Sequence, residues 1–132
     1  MSDEEFSFYN PNPYIPASLS EINDFFYHMI GAAPTFVDKS GAFPEDDIDR
    51  TYLQLTEAFE LVRKKLGEER YAALMDLAAR SKALFADDSE ETNGKTMEGI
   101  KFIWEMMDIV RSVRARRVKD KLHDEEGELT GD

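Results

Sequence analysis

Apolar residues in this chain recur three and four positions apart, and that spacing constrains its fold more than any other feature. From Ile48 the series runs through Tyr52, Leu55, Phe59 and Val62 to Leu66. At 3.6 residues per turn this keeps one apolar stripe on one side of a helix. Pro44 followed by Glu45, Asp46 and Asp47 suits a helix start, because acids there complement the positive end of the dipole. Arg63, Lys64 and Lys65 complement the other end and Gly67 supplies the stop, which predicts a helix over 45–66.

Three further segments share the period. Ser18 and Glu21 form a capping box, Leu19, Ile22, Phe26, Met29 and Ile30 follow, and Gly31 is the expected stop of a helix over 19–30. Tyr71, Leu74, Leu77, Ala78, Ser81, Leu84 and Phe85 mark a third helix over 68–86, joined to the second by Gly67 alone and so expected to lie antiparallel to it. The fourth, over 96–122, carries two apolar stripes. Met97, Ile100, Trp104 and Met107 form one; Phe102, Met106, Ile109 and Val113 form a second, roughly opposite, with Lys101, Glu105, Asp108 and Ser112 in a polar strip between. A helix apolar on two sides is either central in a bundle or shared with another chain.

With 132 residues the chain fits one domain, whose core needs no covalent staple. The expectation is all-α: a four-helix bundle-like domain over 18–122, an extended aromatic arm over 1–17 and a disordered acidic tail over 123–132. The arm holds Phe6, Phe8, Tyr9, Tyr14 and Ile15 among prolines, which favour an extended path; it packs on the helices or on a partner. In the 32–44 loop, Phe36, Val37 and Phe43 are apolar enough to tuck against the core or to anchor a partner.

The absence of cysteine excludes disulfides, thiolate metal sites and cysteine nucleophiles. Twenty-eight acidic against sixteen basic residues give a net charge of −12. That field repels phosphate backbones and anionic lipid, so neither nucleic acid nor a membrane is an expected partner. All of the excess lies in residues 1–110; residues 111–132 balance, with a basic block from Arg111 to Lys121 and an acidic one after it. The start is acidic and polar and no segment reaches the roughly 18 apolar residues of a membrane span, so a cytoplasmic location is expected.

No chemistry-bearing motif survives a positional check. An EF-hand register from Asp87 puts Thr92 where glycine is required, and one aligned on Gly94 puts Ile100 where glutamate is required. Gly94-Lys95-Thr96 echoes a phosphate loop, yet Ser89 stands at the position of its first glycine. His28 and His123, the two histidines, are placed for neither a triad nor an iron site. Glu57/Glu60 and Glu105/Asp108 resemble the paired carboxylates by which all-helical nucleotide pyrophosphohydrolases hold magnesium, although both pairs are expected on outer faces. No catalytic residue, metal or cofactor is assigned.

Three stretches, Phe43-Pro44-Glu45-Asp46-Asp47-Ile48-Asp49, Val62-Arg63-Lys64-Lys65-Leu66-Gly67-Glu68-Glu69-Arg70-Tyr71 and Ala83-Leu84-Phe85-Ala86-Asp87-Asp88, carry a resemblance. Together they resemble the immunity proteins, small acidic bacterial proteins encoded beside polymorphic or type VI secreted toxins, over about residues 43–110. The resemblance implies a non-enzymatic protein that neutralises a basic-surfaced toxin by covering its active surface. From the residues themselves, the expected contact groups are the apolar Phe36, Val37 and Phe43, the acidic Asp46, Asp47 and Asp49, and the second stripe Phe102, Met106 and Ile109. The alternatives are the magnesium-dependent pyrophosphohydrolase and a structural or regulatory helical homodimer, for which the same stripe is the natural face.

Overall fold

Ser18 opens the first helix as its cap: its side-chain oxygen accepts from the Glu21 N–H at 3.1 Å, while the Glu21 carboxylate reaches back to the Ala17 N–H at 2.8 Å. The computed structural model describes residues 13–37 and 46–119, and every regular element among them is a helix. These are α1 (Leu19–Ala32), α2 (Ile48–Leu61), α3 (Arg63–Leu66), α4 (Glu68–Ala86) and α5 (Lys95–Lys119). The chain is all-α, as its periodicity predicts.

The boundaries depart from the expected ones at three places. Gly31 lies inside α1 rather than ending it; the helix stops because Ala33, ahead of Pro34, is extended. The expected helix over 45–66 is described from residue 46 and begins only at Ile48, where the Asp47 side chain caps the Arg50 N–H at 2.8 Å. Val62 leaves helical geometry (φ −105°, ψ 15°), so the predicted single helix is two, α2 and the one-turn α3. Gly67 does end α3, with φ 85°, a region that favours glycine.

Arg63 secures this corner. Its guanidinium forks onto Glu68 at 2.7 and 2.8 Å, reaches Glu60 at 3.1 Å and lies 4.0 Å over the Tyr71 ring.

The helices close into a four-membered ring, with α1 against α2, α2 against α4, α4 against α5 and α5 against α1, while the backbones of the diagonal pairs do not approach closely. Side-chain pairs show that α2 and α4 run antiparallel, with Asp49 beside Lys82 at one end and Glu60 beside Tyr71 at the other. Likewise α4 and α5 run antiparallel, with Arg80 over Phe102 and Asp88 bonded to Thr96. Leu19, Ile22, Phe26 and Met29 of α1, Leu55 and Phe59 of α2, Leu74 and Phe85 of α4, and Ile103, Met106, Val110 and Val113 of α5 fill the interior.

On α5 the buried line is centred on Ile103 and Val110, residues of neither predicted stripe. Met106 and Val113 join them in the core, and Phe102 and Ile109 flank it half-buried, so the second stripe is not a free face for another chain. Met97 and Trp104 of the first stripe stand about half exposed, and Met107 is buried. The described end of the arm lies on α2, where Gln54 donates to the Tyr14 carbonyl at 2.8 Å. Phe6, Phe8, Tyr9, Phe43, Pro44 and the tail over 123–132 lie outside the described residues.

Two glycines test this packing. A Cβ on Gly99 meets the Phe85 ring at 2.6 Å, whereas one on Gly31 meets nothing within 4 Å. Gly31→Ala should raise stability by about 0.5–1 kcal/mol by lowering unfolded-state entropy. Gly99→Ala should instead lower it by about 1–2 kcal/mol, because overpacking a buried ring outweighs the helix-propensity gain. Urea unfolding with an unchanged slope measures both.

Candidate functional site

The fold brings together acids that are far apart in sequence. The antiparallel run of α2 against α4 sets the start of α2, with Asp46, Asp47 and Asp49, at the same end as the α4–α5 turn, with Asp87, Glu90, Glu91 and Glu98. Phe36 ties the end of α1 to that end too. Its ring stands edge-on to Tyr52 at 5.8 Å and to Phe85 at 5.3 Å.

The turn between α4 and α5 is built around Asp88 and is not the fully solvated loop its composition suggests. Asp88 is 3% exposed. One carboxylate oxygen accepts from the Thr92 and Asn93 N–H groups at 2.8 and 3.2 Å. The other accepts from the Thr96 N–H and hydroxyl, both at 2.9 Å, at the start of α5. Asn93 caps the Lys95 N–H at 3.0 Å, and Lys95 pairs with Asp87. With Asp88 turned inward, Glu90 and Glu91 face solvent.

Beside this acidic end a groove of about 370 Å³ runs between α2 and α4. Tyr52 and Ala78 line its depth, Leu53 and Met75 stand on its sides, and Thr56 and Ala79 are small enough to leave it open. The Asp49–Lys82 ion pair, at 2.9 Å, sits at its acidic end. The Tyr52 hydroxyl bonds the Ser81 hydroxyl at 2.6 Å, and Ser81 gives its one proton to the Ala78 carbonyl at 3.0 Å, so Tyr52 is the donor. Burial pushes the Tyr52 phenol well above its ordinary pKa, so it stays protonated.

The predicted contact residues divide. Phe36 is 3% exposed and belongs to the core, as does Met106, so neither offers a partner anchor; both rings of neighbours and helix packing already occupy their apolar surface. Phe102 is half-covered by the Arg80 guanidinium at 4.6 Å, and Ile109 is half-buried. Val37 is exposed. Asp46, Asp47 and Asp49 are at the surface but engaged: Asp46 pairs with Arg50 at 3.7 Å, Asp47 caps α2 and Asp49 holds Lys82. Leu53, about half exposed at the groove, is an apolar surface residue that the sequence reading does not single out. It lies off the main stripe of α2, and its solvent-facing position was the available signal.

The carboxylate pairs of the pyrophosphohydrolase alternative do not converge. Glu60 is bound to Arg63 and Tyr71, Glu105 and Asp108 are on the outer face of α5, and α2 and α5 lie diagonally across the bundle. Among the described residues no group of three or more His, Asp or Glu side chains is placed to hold a metal ion. No helix among them is long and apolar enough to cross a membrane. No family model matches the chain, and no curated protein and no solved structure matches it either.

Asp88 makes the acidic end sensitive to pH. Burial pushes its carboxyl up, but the hydrogen bonds from Thr96, Asn93 and Thr92 outweigh burial and hold it below the ordinary carboxylate value. A depressed folded pKa contributes stability above the unfolded value, about 4, that is lost as pH falls through the folded one. Asp88→Asn should therefore be less stable than wild type at about pH 7 and lose less on acidification below about pH 4. Urea midpoints across that range, followed by circular dichroism, measure the difference.

Proposed function

We propose that this chain is a non-catalytic binding protein that occludes the working surface of a basic protein partner, a toxin of the kind its resemblance implies. The observation that carries this reading is the joining of two sequence-distant acidic clusters at one end of the bundle, beside an open groove with an exposed leucine. Acids gathered on one surface raise the encounter rate with a cationic site, and salt screens that gain. Exposed charge alone contributes little affinity, so an apolar anchor is needed to hold the complex. Leu53 and Val37, each about half exposed near this end, supply it. An intracellular site of action, with the toxin as target, completes the proposal.

The acids best suited to a partner are those with no structural duty. Asp47 and Asp88 are excluded by their capping roles, and Asp49 by Lys82. Glu90, Glu91 and Glu98 remain exposed.

The partner is first recovered by affinity capture from the native organism, and the purified pair is then studied by stopped flow. Replacing Glu90, Glu91 and Glu98 together by Gln should slow association by about tenfold in low salt with little change in dissociation. Leu53→Ser should speed dissociation by about tenfold and leave association nearly unchanged. A partner whose contact surface is acidic, or a triple variant that associates at the wild-type rate in low salt, overturns the mechanism.

A further inference from the structure

The outward face of α5 carries a pattern that the bundle does not use. Met97, Lys101, Trp104, Asp108, Arg111 and Ala115 are all exposed and fall within an arc of about 80° of the helix, over a length of about 27 Å. Trp104, the chain's one tryptophan, is 48% exposed at its middle and Met97 is 50% exposed towards the start. Tyr27 of α1, 53% exposed, extends the face, with its ring beside Arg111 and its hydroxyl accepting from the guanidinium. Lys101 and Asp108, by contrast, have no ion-pair partner among the described residues.

We propose that this face binds a second copy of the same chain, with the two α5 helices antiparallel about a two-fold axis beside Trp104. The charge order selects that occupant. A two-fold interface is self-complementary, so each residue must suit what the symmetry sets opposite it. Lys101 and Asp108 lie equally far on either side of the point between Trp104 and Glu105. In antiparallel register Lys101 of one copy therefore meets Asp108 of the other, and the same pair forms a second time. A parallel arrangement would oppose like charges at both positions.

Lys101 and Asp108 share one edge of the arc, and Met97, Trp104 and Arg111 share the other. The first edge makes the two ion pairs. On the second, the two Trp104 rings meet near the axis and each Met97 packs on the Arg111–Tyr27 pair of the other copy. Tryptophan and arginine are the residue types most enriched where protein interfaces are strongest. The same arrangement lays the basic end of α5, Arg111 to Lys119, alongside the acidic approach to α5 in the other copy, from Asp87 to Glu98. This inference does not rest on the toxin-binding reading, which uses the acidic end and the α2–α4 groove.

Light scattering and sedimentation of the full chain, from about 1 to 100 µM, test it. The expected result is a mass rising to twice the chain mass, with Trp104 emission moving to shorter wavelength over the same concentrations. Lys101→Glu alone and Asp108→Lys alone should each weaken the dimer by about tenfold or more, since each sets like charges opposite one another twice. Combining the two exchanges should restore wild-type affinity, and Trp104→Ser should leave a monomer. Circular dichroism of each variant checks that the helices are intact. A wild-type monomer at about 100 µM overturns the proposal. So does a dimer that neither single exchange weakens, or a double exchange that fails to recover it while remaining folded.

Discussion

The contact between Phe85 and Gly99 sets the spacing on which the rest of the bundle depends. The ring lies where a side chain on α5 would otherwise project, so α4 and α5 approach closely and the ring is fully buried. Phe36 stands edge-on against the same ring and reaches Tyr52, whose hydroxyl ties back to α4 through Ser81. The turn after α1 thus meets α2, α4 and α5 through one aromatic cluster at the acidic end. Edge-on aromatic pairs add directional preference to burial, which fixes how the chain leaves α1 as well as how tightly the helices pack.

Ring closure then sorts the charge. Because neighbouring helices run antiparallel, the start of α2 and the α4–α5 turn share one end, and the described bases of Arg63 to Lys65 and Arg111 to Lys119 lie away from it. A net charge of −12 therefore understates how local the field is. Within the acidic end the groups are not equivalent. Asp47 and Asp88 hold helix starts, Asp49 is paired, and Glu90 and Glu91 are left to the solvent. Asp88 is the member that lets the others stand out: four hydrogen bonds to one inward carboxylate turn the chain sharply enough to present its neighbours.

Much of this fold is legible in the sequence, because helical period and capping act over a few residues. The box at Ser18, the stripe of α2 and the hairpin at Gly67 all follow from local rules. What these local rules do not determine depends on neighbours. On α5 apolar residues cover so much of the circumference that two stripes can be drawn, and Ile103 and Val110, which lie between them, are the true centre. Only the directions of α1 and α4 decide that. Asp88 looks like Asp87 and Glu90 in composition, and its burial follows from where Thr96 ends up. Asp46, Asp47 and Asp49 lie at the surface, but Asp46 and Asp49 are paired by Arg50 and Lys82, whose side chains reach them only in the folded chain.

Phe36 adopts φ 61°, a left-handed conformation that bulky residues seldom take, with its N–H bonded to the Ala32 carbonyl at 2.9 Å. The ring's burial between two other rings offsets a backbone cost of roughly 1–2 kcal/mol. The two requirements at this position are therefore separable, one belonging to the side chain and one to the main chain. Once the aromatic group is gone, a methyl group has no reason to remain, since it retains the backbone penalty and fills almost none of the vacated space. Glycine loses the same ring and relieves the strain. The usual order of tolerance in a core, in which alanine is the milder truncation, is reversed here, and the left-handed turn after α1 is the reason.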